Sequence, residues 1–379
     1  MPQAPCLRIV GATARAAAWS ARRAGFDVEA ADAFGDLDLR AVTRSDPVSL
    51  AAVCSGQAFV GSDPTIPLLY TGPLENEPDL LRRLAACGLL LGNAAEIVEP
   101  VRDPFRLSAT LRAAGVATPD LALSAPAGLS GRGWLLKHRQ SSGGTGVEPY
   151  SGQALGDGGY LQQKIDGQPR SALFLGDAQR VVLIGMSACW SGAAGRRYVY
   201  RGGLAPLPIP DPLRETLERI GRVLHQVFGL RGLFGVDLIV CDGIPWVLEV
   251  NPRYTASVEL FEYATGHALL RAHARAFGVE PPAEARRQPR PLPTCVGKAV
   301  VYTRHDLLWS RPATIRSAPD PWRLPRHADL PAPGSRFRPG EPVLTLLESG
   351  PRPTLVAHRL RRRLARWRGR LKALAQATA

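Results

Sequence analysis

Residues 235–253 read Gly-Val-Asp-Leu-Ile-Val-Cys-Asp-Gly-Ile-Pro-Trp-Val-Leu-Glu-Val-Asn-Pro-Arg, and they restrict what the chain can fold into more than any other stretch. Two apolar runs, 236–241 and 246–250, flank Asp242-Gly243, the strongest short-range hairpin signal. Asp237 interrupts the first run, Glu249 and Asn251 sit in and just past the second, and Arg253 follows. Glu249 and Asn251 are two apart, so an extended chain points both to one face, and the hairpin returns Asp237 beside them. Two carboxylates and an amide oxygen are costly to bury without a partner. A hard divalent cation such as Mg²⁺ suits these oxygen ligands. An ordinary hairpin whose carboxylates reach solvent fits the spacing as well.

The 379 residues suffice for two or three domains, and 45% hydrophobic with 21% charged residues is the composition of a soluble globular chain. The net charge of +14 invites a nucleic-acid reading, but its distribution argues against one. Only Lys137, Lys164, Lys298 and Lys372 are lysines, and the 352–372 tail holds nine basic residues with no acid after Glu348, so the body is only mildly basic. Six scattered cysteines without a CxxC pair fit neither a disulfide framework nor a zinc site and suggest a reducing compartment. No apolar run approaches the ~18 residues of a membrane span. The acid-poor start resembles a transit peptide, but residues 7–10 followed by Gly11 read better as a first strand and turn. The expected location is the cytoplasm.

Residues 1–95 read as an α/β unit: a strand at 7–10, a helix at 13–24 closed by Gly25, and a strand at 28–31 ending near Asp32. A dinucleotide fingerprint fails, because Thr13 stands where a second glycine must let a pyrophosphate approach. Further strand-like pieces fall at 58–61 and 67–70, and a helix at 80–87. Asp103-Pro104 opens a helix through Ala113, with proline at its favoured first position. A strand at 133–139 carries Lys137 straight into Ser141-Ser142-Gly143-Gly144-Thr145-Gly146. Backbone N–H groups of such a loop can approach a polyphosphate unhindered by Cβ atoms, and a lysine adds a point charge. Glycine-rich hairpin turns are also common without any ligand. The loop is not a Walker A sequence, since its lysine precedes the glycines. Short strands at 159–163, 171–175 and 181–184, a helix at 213–228, the hairpin, and helices at 257–264 and 267–277 make this half α+β, with antiparallel strands dominant.

Lys137 with the 141–146 loop, then Leu161-Gln162-Gln163-Lys164-Ile165-Asp166-Gly167, then Asp237 with Glu249-Val250-Asn251-Pro252-Arg253, occur in the order found in the ATP-grasp superfamily. The resemblance covers about residues 100–280, and the twelve-residue step from Asp237 to Glu249 is similar to that of the biotin carboxylase branch. More closely, the chain resembles predicted ATP-dependent carboligases linked to methanopterin-type one-carbon metabolism, and more distantly tyramine–glutamate and D-alanine–D-alanine ligases. The resemblance implies an α+β ATP-grasp fold at 96–285, with lobes at 96–165 and 166–285 around ATP. A Rossmann-like α/β domain at 1–95 would precede it, and a small β-unit at 286–350 and a basic helical tail at 351–379 would follow.

It also implies a carboxylate–amine ligase that works through an acyl phosphate, in the biosynthesis of a one-carbon carrier coenzyme of methanopterin or methylofuran type. The backbone around Gln162, Gln163 and Ile165 would meet adenine, Ser141, Ser142, Gly143, Gly144, Thr145 and Gly146 would cover the phosphates, and Lys137 would bind phosphate oxygens. Asp237, Glu249 and Asn251 would hold one or two Mg²⁺ ions, with Mn²⁺ an acceptable substitute, and Arg253 would stabilise the tetrahedral intermediate. The expected partners are a small carboxylate and a small amine, and a homodimer is compatible with all of this. Two departures stand out. Asp103-Pro104 replaces the usual Asp-Lys, leaving Arg106 or Arg197 to substitute, and no ribose-binding acid lies near Pro169, where Gln168 is the nearest polar residue. A catalytically degenerate nucleotide-binding protein and a bicarbonate-using carboxylase are the alternatives. The 355–371 tail is read as a solvated amphipathic helix, ahead of a nucleic-acid or anionic-surface contact.

Overall fold

The structure, a computed structural model, describes residues 5–55, 63–124, 133–193, 195–282, 294–310 and 320–378. The strand expected at 58–61 and residues 283–293 of the Pro- and Arg-rich segment lie outside the described residues.

The N-terminal unit is a parallel sheet of β1 (Cys6–Val10), β2 (Asp27–Asp32), β3 (Val48–Ser49) and β4 (Leu68–Tyr70), in the order β3-β2-β1-β4. β1 is buried along its whole length, as the central position of a covered parallel sheet requires. Helices α1 (Arg15–Ala24), α2 (Leu37–Arg40), α3 (Leu50–Cys54) and α4 (Pro78–Ala86) belong to this unit. Two arginines of α1 are buried, Arg15 and Arg23. Their partners lie far along the chain, on a helix that follows the hairpin.

A first lobe begins with α5 (Ala95–Arg102) and α6 (Pro104–Ala113). Asp103 caps α6 by accepting from the Phe105 and Arg106 amides, both at 2.9 Å. The lobe's sheet has the order β5-β8-β6-β7, from β5 (Leu121–Ala122), β6 (Trp134–His138), β7 (Val147–Pro149) and β8 (Gly159–Gln163).

The second lobe is built on an eight-stranded sheet whose pairs are all antiparallel. Its first strands in chain order are β9 (Gln168–Gly176), β10 (Val181–Ala193), β11 (Arg196–Leu207), β12 (Gly232–Cys241) and β13 (Ile244–Asn251). Helix α7 (Asp211–Phe228) lays Leu213, Leu217, Ile220, Leu224 and Phe228 on it. Helices α8 (Val258–Thr265) and α9 (Leu269–Ala276) follow the hairpin. Beyond them come β14 (Cys295–Tyr302), β15 (Leu307–Leu308), β16 (His327–Ala328), β17 (Arg336–Phe337) and β18 (Pro342–Gly350). β14, β18 and β16 continue the same sheet, in the order β13-β12-β9-β10-β11-β14-β18-β16.

β10 runs 13 residues where sequence pattern suggests only 181–184, and β11 is not expected at all. β10 is rich in Gly, Ala and Ser, β11 mixes Arg, Tyr and Gly, and their pairing shifts register near Met186, Trp190 and Ser191, so no clean alternation of apolar residues marks them.

The tail is a single helix, α10 (Pro353–Thr378). It is solvated on one face only. Val356, Leu360, Leu364, Trp367 and Leu371 are buried in a cluster with residues of β14 and β18. At about 1.5–3 kcal/mol per buried apolar side chain, this stripe decides for docking over free solvation. Among the described residues no helix is long and apolar enough to cross a membrane.

Ion pairs lock the three parts together. Glu259 of α8 accepts from Arg15 at 2.7 Å and from Lys298 of β14 at 2.8 Å. Burial opposes its charge, but these two cations hold its carboxyl well below the usual range. Arg23 donates to Glu262 at 2.7 Å, and Arg15 also reaches Asp329 at 2.8 Å. Beside this lock Asp36 is pushed up to about 9 by burial and by Asp329, Asp38 and Asp32. An acid whose folded pKa is raised binds its proton more tightly when folded, so its contribution falls as pH climbs from about 4 towards 9. Asp36→Asn is therefore expected to raise the melting temperature at pH 8, by about 2–4 °C for each ~1 kcal/mol gained, and to flatten the alkaline decline in a pH series of thermal melts. A variant less stable than the parent across that series would refute the assignment.

Candidate active site

The opening hairpin forms as its sequence demands. Asp242 and Gly243 take φ of 48° and 80°, the left-handed pair of a tight hairpin turn. In the register β12 to β13, Asp237 lies directly opposite Glu249, and a register shift follows between Asp237 and Leu238. Like charges directly opposite on one face repel. Asn251 partly offsets this by donating its amide to Asp237 Oδ2 at 3.0 Å. Even so, burial and the neighbouring Glu249 push Asp237 up to about 6. Burial works the same way on Glu249, but Lys137, Arg102 and Arg253 outweigh it and hold that carboxyl below its ordinary value. Two carboxylates and an amide, with one carboxylate resisting ionisation for want of positive charge, are a donor set that fits a hard divalent cation.

Lys137 reaches this hairpin from the other lobe. It stands on β6, almost wholly buried, with its Nζ 3.6 Å from Glu249 Oε2 and 3.4 Å from Gln162 Oε1. Burial favours the neutral amine, but Tyr160 and Glu249 hold the ammonium charge. A charged contact thus joins the small sheet to the large one.

The 141–146 loop joins β6 to β7 and lies against β11. The Tyr200 amide donates to the Gly143 carbonyl at 2.9 Å. Gly144 has φ of 76°, and a Cβ there would stand 2.0 Å from the Tyr198 carbonyl oxygen, so no other residue fits without displacing the loop. Ser141 bonds the His138 carbonyl, Thr145 bonds the Ser142 carbonyl, and Gly146 closes the turn by accepting from the His138 amide. Gln162 sits inside the small sheet, paired with Leu121 and Leu135. Gln163 ends β8, its amide donating to the Asp120 carbonyl at 2.8 Å, and Ile165 lies in the 164–167 link between the two lobes.

Three residues that sequence reasoning does not single out, Glu75, Asn76 and Arg102, complete the arrangement. Arg253 donates to Glu75 Oε1 at 2.5 Å and to Asn251 Oδ1 at 3.2 Å. Glu75 comes from the N-terminal unit, is fully buried, and keeps its charge because Arg253 and Arg102 overcome the effect of burial. The next residue, Asn76, accepts from Arg102 at 2.8 Å, and Arg102 also grips the Ser141 carbonyl at 3.1 Å. One turn, Leu74–Asn76, therefore holds both site arginines. The expected substitutes lie elsewhere: Arg106 stacks over Phe228 and Arg197 over Tyr198. Gln168 is engaged by Arg170. The signal for Arg102 was its place beside Asp103; for Glu75 and Asn76 no local pattern points to the site.

With this geometry in view, a family model described as the ATP-grasp domain matches residues 101–257, and the chain has the ATP-grasp fold, with mixed α and β content. The biotin carboxylase domain of 2-oxoglutarate carboxylase from Hydrogenobacter thermophilus, a dimer in complex with MgADP, ADP and bicarbonate, superposes with TM-score 0.67 at 15% identity, covering 93% of this chain and 88% of that one. N5-carboxyaminoimidazole ribonucleotide synthetase from Thermus thermophilus gives 0.66 at 17% identity, covering 96% and 98%. Among curated proteins, the carbamoyl phosphate synthase large chain of Neisseria gonorrhoeae is 35% identical over 72 residues, 19% of this chain and 7% of that one. The D-alanine–D-alanine ligase of Leptospira biflexa is 30% identical over 76 residues, 20% of each. The chain thus spans at most a fifth of the length of these two curated relatives.

Gly144→Val should lift the loop off β11 while leaving the cores intact. The expected result is amide exchange at Tyr200 and across 139–146 faster by about tenfold, equivalent to ~1.4 kcal/mol, with little change in the melting temperature. Unchanged protection would mean that the loop tolerates a side chain there.

Proposed function

We propose that the protein is a Mg²⁺- and ATP-dependent ligase that joins a carboxylate to an amine through an acyl phosphate, releasing ADP and phosphate. The observation that carries this reading is the opposed Asp237–Glu249 pair, with Asn251 beside it, facing Lys137 across the lobes. ATP lies between the two sheets, its adenine against the backbone near Gln163 and Ile165 and its phosphates under the 141–146 loop. Asp237, Glu249 and Asn251 would hold the metal, which when bound would neutralise phosphate charge.

Lys137 and Arg102 place positive charge on the phosphate side, and Arg102 supplies the cation that Asp103-Pro104 leaves out. A substrate carboxylate oxygen attacks the γ-phosphorus and ADP departs. The amine nitrogen then attacks the acyl carbon, loses its proton, and phosphate leaves. Arg253, fixed by Glu75, donates to the oxygen that gains charge in that second step. No protein nucleophile takes part. A place in the assembly of a one-carbon carrier coenzyme belongs to the proposal on the strength of the sequence resemblance alone.

The test is ADP release with Mg²⁺ over a panel of carboxylate and amine pairs, including glutamate with tyrosine or tyramine. Asp237→Ala and Glu249→Ala should each lower the rate by at least about 10²-fold; turnover that survives both sinks the metal assignment. ATP binding without ADP release on any pair would favour a degenerate nucleotide-binding protein. In the same assay Arg102→Ala should raise the KM for ATP more than it lowers kcat, whereas Glu75→Gln should lower kcat with the KM for ATP nearly unchanged. Equal effects on both parameters from both variants would show that the Leu74–Asn76 turn serves stability rather than the two ends of the site.

A further inference from the structure

The basic residues of α10 do not all have the same surroundings. Arg359 and Arg363 share Glu348, and Arg370 lies over the Trp367 ring. Arg368 turns instead to a small cavity behind β11, which it lines together with Arg201 of β11 and Arg304, over Tyr302 and Leu364. Among the described residues no carboxylate pairs with any of these three arginines, and the undescribed residues contain a single acid, Glu284. Arg201 makes one long bond, 3.4 Å to the Gly192 carbonyl, and its Nε is buried without a partner. Partial burial, with Arg201 and Arg304 close by, holds Arg368 below its ordinary pKa. Three cations drawn together without an anion repel one another, and an oxyanion seated among them removes that penalty and supplies the missing acceptor.

We propose that Arg201, Arg304 and Arg368 form a binding site for a small phosphate-type oxyanion, separate from the Lys137–Glu249 cleft. Arg201 lines the cavity beside Leu364 and Arg368 of α10, whereas its neighbour Tyr200 feels the charges of Glu259 and Asp237. The guanidinium groups offer paired N–H donors that match a phosphate's oxygens. The wall is tied to the strand as well, since the Tyr302 hydroxyl donates to the Tyr200 carbonyl at 2.7 Å.

The test uses full-length protein exchanged into phosphate-free buffer at fixed ionic strength. It is titrated calorimetrically with inorganic phosphate and with glycerol 3-phosphate, each with and without saturating Mg-ADP. The expected result is one saturable site that persists when Mg-ADP is present, with Kd raised at least tenfold by Arg304→Gln and by Arg368→Gln. Arg366→Gln, on the same helix but outside the cavity, should bind as the parent does. Preference for inorganic phosphate identifies a free ion, and preference for the ester identifies a phosphorylated metabolite. Absence of saturable binding overturns the proposal, as does binding that vanishes with Mg-ADP or is untouched in both arginine variants. A short single-stranded oligonucleotide that binds where neither small phosphate does would also overturn it. Arg304 and Arg368 are exposed, so both variants should fold, and melting curves check that they do.

Discussion

Glu259 is a carboxylate with no access to water, and its charge survives only because Arg15 and Lys298 close on it from two directions. A buried charge that loses one partner costs about 3–5 kcal/mol, far more than the intact cluster contributes over an apolar replacement. The value of the cluster therefore lies in what it forbids. Arg15 belongs to the N-terminal unit, Glu259 to the helix after the hairpin, and Lys298 to the C-terminal extension of the large sheet. No one of these can shift without stranding a charge. Arg23 and Glu262, two turns along α1 and one along α8, repeat the constraint and remove the freedom to pivot.

That rigidity bears directly on the site, because Arg253 lies five residues before α8. Its guanidinium rests against Gly72, where a Cβ would come within 2.7 Å, and its carboxylate partner Glu75 follows in the same N-terminal segment. A short bridge between Thr71 and Tyr254 fixes the two segments at that point. The N-terminal unit thus acts as a wall of the site rather than an appendage to it. The cations Lys137, Arg102 and Arg253 face the anions Asp237, Glu249 and Glu75, and the near balance of charge favours the approach of the lobes.

Local chemistry made some of this legible. Asp242-Gly243 announced the hairpin, Asp103-Pro104 announced the start of α6, and the two-residue spacing of Glu249 and Asn251 placed both on Asp237's side. These signals depend only on the backbone within a few residues. Lys137 and the 141–146 loop could be read as phosphate-binding by type, but their approach to β13 and β11 is a contact between lobes that no local pattern encodes. Glu75 and Asn76 were invisible for the same reason: their partners are 178 and 26 residues away. β10 was hidden by its small residues and β11 by polar residues and register shifts, which leave no apolar rhythm to detect.

The small residues of those strands have a common cause. Tyr198 and Tyr200 present their backbone to the glycine-rich loop, and Gly144 can approach only because neither partner places an atom between them. Gly202 and Gly203 accept the neighbouring strands equally closely, a Cβ on either falling 2.2 Å from a carbonyl oxygen of β14 or β10. On the sheet so formed α10 packs through Leu360, Leu364 and Trp367. The helix is therefore part of the floor on which the loop closes, and its arginines are the solvated side of a structural element. Arg368 departs from that pattern because it also lines the cavity with Arg201, on the very strand the loop touches. Whatever anion settles there does so against the back of β11, one residue from Tyr200.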